Sequence, residues 1–160
     1  MDEHDPTRLV RSVVVDAPVD EAFRVFVGRF DAVKPREHNL LGAPVVATTF
    51  EPRVGGTLHD RAEDGSECHW GRVLVFEPPH RLVFTWDIGP TWQLVDDPAQ
   101  ASEVEVTFEP LDDGRTRLRL EHRHLDRHGP GWEGLASGVG DDQGWPLYLA
   151  RYATLLPDAA

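Results

Sequence analysis

The chain has 160 residues, 40% hydrophobic composition and a formal net charge of −12. That suits one domain (1–160) with a real core and excludes nucleic acid as a partner, since a phosphate backbone needs a basic surface. Cys68 is the only cysteine, which rules out an intramolecular disulfide, and Lys34 is the only lysine. The opening MDEHDPTRL lacks the basic start and apolar run of a secretion signal, and no apolar stretch approaches the ~20 residues that span a bilayer. A cytoplasmic protein with no membrane partner is the economical reading.

Leu9–Val15 is a short apolar strand that ends at Asp16-Ala17-Pro18. Val19, Phe23, Phe26, Val27 and Phe30 then recur at helical spacing, with Asp20 and Glu21 placed for the positive end of a helix dipole. Residues 31–44 are irregular and punctuated by prolines. Strands follow at Val45–Glu51 and Thr57–Ala62, separated by Pro52 and by Gly55-Gly56, which marks a bend or bulge. In Trp70–Trp86 (WGRVLVFEPPHRLVFTW) two β-prone runs flank Glu77-Pro78-Pro79-His80, a hairpin with a rigid elbow, because proline fixes φ and lacks a donor. Glu103–Glu109 alternates Val104, Val106 and Phe108 with glutamates and Thr107. Arg115–Leu125 alternates Leu118, Leu120, His122 and His124 with arginines and Glu121. Such alternation belongs to an antiparallel sheet with one wet face, where a Glu-rich strand can pair charges with an Arg-rich one.

The chain closes in helix. Trp132, Leu135 and Val139 are helically spaced in the glycine-rich Gly131–Gly140. Asp141 or Asp142 is placed to cap a longer helix ending near Leu156, with Pro146 in its first turn and Trp145, Leu149, Tyr152 and Leu156 on one face. The expected fold class is therefore α+β: six or seven antiparallel strands between helices.

The segments VVVDAPVDEAFRVF, FEPRVGGTLHD, HWGRVLVFEPPHRLVFTW, GRTRLRLEHRHL and GWPLYLARYATLL, in this order from Arg11 to Leu156, carry a resemblance to the START-like (SRPBCC) superfamily, in its heat-shock-protein ATPase-activator homologue branch. The resemblance implies the helix-grip fold: a curved antiparallel sheet wrapped around a long C-terminal helix, with an apolar cavity between them. Family members use this cavity for hydrophobic small molecules such as lipids, sterols and polyketides, and a few act as cyclases or resistance proteins.

Three functions follow as expectations. The first is a non-enzymatic or weakly catalytic module that binds an apolar or aromatic small molecule, without cofactor or metal. Phe84, Trp86, Phe108, Leu120, His122, Trp145, Leu149 and Tyr152 would line its cavity, with Trp92 and Trp132 as further aromatics. The second is a cyclase- or hydrolase-type enzyme with His122 or His124 as acid–base. The third is a co-chaperone-like protein-interaction module. A homodimer stays open on general grounds. His122-x-His124 on one strand face could give zinc two ligands, with His59, His69 or His128 as a third. Polar lining or a hydrogen-bonded core histidine is the simpler account. Cys68 and His69 are strand neighbours on opposite faces and so no catalytic pair, and no serine stands in a nucleophile-elbow context.

Overall fold

The computed structural model describes residues 6–35, 40, 41, 43–90, 93–95, 97–142 and 144–156. β1 (Leu9–Val15) leads into α1 (Val19–Gly28), which buries Ala22, Phe23, Phe26 and Val27. The expected helix to Phe30 breaks at Arg29, whose φ of −120° leaves the helical region; a single turn, α2 (Phe30–Val33), follows. Then come β2 (Val45–Phe50), β3 (Thr57–Ala62), β4 (Glu67–Glu77), β5 (Arg81–Trp86), β6 (Ser102–Pro110) and β7 (Thr116–Arg123). These form one seven-stranded sheet in the order β1-β7-β6-β5-β4-β3-β2, antiparallel at every pairing.

The proline elbow joins β4 to β5 where the sequence places it. Register shifts in β2–β3, β3–β4 and β4–β5 bend the sheet into a half-barrel. Beside the β4–β5 shift, a Cβ on Gly71 would stand 2.7 Å from the Thr85 carbonyl oxygen, so only glycine lets the two strands approach there. The outer face carries the expected charge ladder. Arg123 bonds Glu103 at 3.1 Å and Glu105 at 2.7 Å, Arg117 pairs with Glu109 at 3.1 Å, and Arg81 also reaches Glu105. These pairs are half-exposed and fix register more than stability.

The concave face holds the core, one contiguous cluster to which α1, α2 and the C-terminal helices contribute. The two C-terminal segments expected to be helical are α3 (Trp132–Gly140) and α4 (Trp145–Thr154). The cap of α4 is Gly144, with no side-chain cap bond, rather than Asp141 or Asp142. A Cβ at Gly144 would fall 2.2 Å from the Val139 carbonyl oxygen, so the chain turns there closer than any other residue permits. Gly134 and Gly138 differ: they sit inside α3 with open space where a Cβ would be. Glycine in a helix costs about 0.5–1 kcal/mol relative to alanine. Gly134→Ala and Gly138→Ala are therefore expected to raise the thermal midpoint by a few degrees each; a drop in a melting curve would show that α3 needs its glycines.

Candidate functional site

The eight residues expected to line a cavity all point into the concave side and all are buried. They fall into two neighbourhoods. Phe108 and Tyr152 belong to an apolar one with Phe23 and Phe26, whose rings meet edge to face at 5.1–5.9 Å. There the Tyr152 hydroxyl donates to the Ala22 carbonyl at 2.7 Å, and burial pushes its pKa up. Phe84 touches Phe50 and Trp70 between the two neighbourhoods, and Leu120 and Leu149 fill the same cluster. Trp86, His122 and Trp145 form the other, which is both aromatic and polar.

That second end is assembled from three neighbouring strands. Trp86 of β5 stands opposite Ser102 of β6, while Val104, two residues on, stands opposite His122 of β7, so all four side chains share the inward phase. Trp145 comes down from the start of α4, and His128 from the 3-10 turn Leu125–His128. Trp145 Nε1–H donates to His122 Nδ1 at 3.0 Å. Since Nδ1 accepts, a neutral His122 carries its proton on Nε2 and donates it to Ser102 Oγ, 2.7 Å away. The Ser102 hydroxyl is then free to donate to His128 Nε2 at 2.8 Å, and the Ser102 backbone N–H points at the same nitrogen at 3.2 Å. His128 must therefore hold its proton on Nδ1, a buried atom with no partner.

Every bond in this chain of four side chains runs the same way, from Trp145 to His128. Burial, with a smaller contribution from His128, depresses His122 to about 3, and burial lowers His128 as well. Both rings are thus neutral at pH 7, which is the state the bonding pattern requires.

A further wall adjoins it. Trp70 of β4 contacts Trp86 at 5.3 Å between ring centroids, and Lys34 Nζ lies 5.6 Å over the Trp70 ring. Lys34 makes a 3.0 Å ion pair with Asp60, both side chains 1% exposed, and Thr48 Oγ1–H donates to the other Asp60 oxygen at 2.7 Å. The indole nitrogens of Trp70 and Trp86 are buried without partners.

Several expectations change. The strand ends at Arg123, and His124 adopts φ 60° in the left-handed region and is exposed, so His122 and His124 do not share a face. His59 and His69 stack at 4.5 Å on the outer surface, both bonded to Thr57 Oγ1, on the other side of the sheet from His122. Among the described residues no group of three or more His, Cys, Asp or Glu side chains is placed to hold a metal ion. Cys68 is buried, and desolvation raises its thiol pKa. Trp92 lies outside the described residues. A recess of about 720 Å³ opens between β1 and α3, lined by Leu9, Arg11, Trp132 and Ala136 among others, and by none of the eight. No described helix is long and apolar enough to cross a membrane.

Sequence reading passed over Ser102 and Trp70 as members of the site, and named His128 beside His122 only as a possible zinc ligand. Ser102 had a signal: it occupies the inward phase of Val104, Val106 and Phe108, where a polar residue needs a buried partner. His128 follows a left-handed residue, and no period carries through that turn.

A half-barrel sheet closed by a C-terminal helical arm, with a mixed aromatic and polar interior, defines the helix-grip fold of the START-like (SRPBCC) superfamily. The chain belongs to the activator of Hsp90 ATPase homolog 1-like family, whose model matches residues 16–156. It is similar to the solved anthrahydroquino-γ-pyrone synthase Txn09 at 41% identity, covering 98% of this chain and 100% of that one, with a TM-score of 0.66. It is also similar to CalC, a self-sacrificing resistance protein from Micromonospora echinospora, at 28% identity over 94% of this chain and 95% of that one, with a TM-score of 0.62. Ms6760 from Mycobacterium smegmatis, at 18% identity, TM-score 0.67 and coverage of 99% and 96%, shares the fold. No curated protein matches the chain.

Proposed function

We propose that this chain binds a planar aromatic molecule of the polyketide type between sheet and helical arm, and promotes closure of an oxygen heterocycle on it. The supporting observation is the one-way donor chain Trp145–His122–Ser102–His128, which ends in an unpartnered, buried His128 Nδ1–H. Simple storage of an apolar ligand needs no such chain, whereas a reaction that builds charge on an oxygen does. The full-length similarity to a γ-pyrone synthase points the same way.

Ring closure of this kind joins a hydroxyl oxygen to a carbonyl carbon. Negative charge develops on the carbonyl oxygen as the new C–O bond forms, and water leaves when the pyrone ring is completed. A fixed neutral donor aimed at that oxygen stabilises the charge without having to reorganise. Hydrogen bonds aligned head to tail polarise one another, so each upstream donor strengthens His128 Nδ1–H. In this scheme His128 touches the reacting oxygen; Ser102, His122 and Trp145 are positioning residues that fix its tautomer.

The test uses 1-(1-hydroxy-2-naphthyl)butane-1,3-dione, which closes to a fused γ-pyrone with loss of water and changes its absorbance. The protein is expected to accelerate closure above buffer, and His128→Phe to remove about 10²-fold of that rate, the scale of one lost oxyanion donor. Binding without acceleration would leave a ligand-binding protein that does not promote this closure. Neither binding nor acceleration would end the proposal.

A further inference from the structure

Trp70 and Trp86 are 1% and 5% exposed, and their rings are in edge-to-face contact. Each has a buried indole N–H with no acceptor. A buried donor left unpaired costs about 1–3 kcal/mol, and native proteins carry few of them. Phenylalanine would build the same aromatic wall without that cost. Two such donors in touching rings, on adjacent strands β4 and β5, therefore call for a common explanation.

We infer that Trp70 and Trp86 are a carbonyl-reading subsite: their indole N–H groups donate to the ring-carbonyl oxygen of a fused aromatic ligand. The inference rests on the ligand-binding reading above and narrows it. Tryptophan nitrogen only donates, so the complementary ligand group is an acceptor. The Lys34 ammonium over the Trp70 ring draws on its π electrons and makes that N–H a better donor. A carboxylate would also accept, but the formal net charge of −12 repels anions at long range, and Asp60 already holds a negative charge beside Lys34. A neutral carbonyl oxygen has two lone pairs, one for each donor, and brings no net charge. Trp70, Trp86 and Trp145 already pack edge to face in series, and a flat aromatic ligand would extend that cluster by another ring. Acyl chains offer no ring-borne oxygen and are selected against, because they would leave both donors unpaired.

Xanthone and xanthene make a matched pair: both are flat tricycles, and only xanthone has the ring carbonyl. Binding is followed by each probe's own absorbance or emission. The parent protein is expected to bind xanthone at least tenfold more tightly than xanthene. Trp70→Phe and Trp86→Phe should each weaken xanthone about 3- to 10-fold, the scale of one neutral hydrogen bond, and leave xanthene within about twofold. Equal affinity of the parent for the two probes overturns the inference even if neither variant folds. So does an equal loss for both probes in the variants, since that reports lost packing alone. Xanthene and xanthone bound equally well would spare the wider ligand-binding reading; failure to bind either would sink both.

Discussion

Asp60→Ala is expected to destabilise the protein by about 3–5 kcal/mol, the scale for removing one partner of a buried ion pair. The substitution strips the 3.0 Å carboxylate contact from Lys34 and leaves an ammonium in a place 1% exposed. It also removes the acceptor for the Thr48 hydroxyl. Replacing both charges together, with Lys34→Met and Asp60→Leu, should recover most of the loss, because two apolar side chains of similar volume have no desolvation cost to offset. Urea unfolding of parent, single variant and double variant decides it. A loss under about 1 kcal/mol in Asp60→Ala would show that the pair is as well screened as a surface one. The pair also has a bearing on function. Lys34 follows directly on α2 and Asp60 is in β3, so their bond ties the helical layer to the sheet and holds the ammonium over Trp70. Loosening it should weaken xanthone binding even in conditions where the chain stays folded.

Period carried most of the fold. The β6 and β7 alternation survives in their register, with Val106 opposite Leu120 inside and Glu109 opposite Arg117 outside. The apolar faces of α1 and α4 are buried as their spacing requires. Where a period stopped, so did foresight. His124 looked inward by extrapolating β7 for one step past Arg123, but its left-handed backbone breaks the alternation. Lys34 sits in an irregular segment, where a lone lysine reads as a solvated charge. Its partner was the more legible half, since Asp60 shares the inward phase of Leu58 and Ala62. A polar residue in an apolar phase was likewise the mark of Ser102. The directed bonding among Trp145, His122, Ser102 and His128 has no trace in pattern at all, because it depends on where one strand end, one turn and one helix start meet.

Mild acid should act on this network directly. His122 is depressed to about 3 in the folded protein and is near 6.5 in the unfolded chain. The unfolded chain therefore takes up the proton first. The contribution of His122 to stability is complete above about pH 6.5 and declines as pH falls towards 3. At pH 5 that one ring should have cost about 2 kcal/mol, and the lowered His128 adds to the loss with the same sign. His122→Gln isolates the effect. Its amide oxygen can accept from Trp145 and its amide nitrogen can donate to Ser102, but it cannot be protonated in this range. The variant should be somewhat less stable than the parent at pH 7, because an amide does not fill the space of an imidazole. It should lose about 2 kcal/mol less than the parent between pH 7 and pH 5. Carboxylates titrating in the same window affect both proteins alike, so the difference between the two urea curves isolates the histidine. Parallel losses would mean that His122 is not held neutral, and the one-way donor chain ending at His128 would lose its basis.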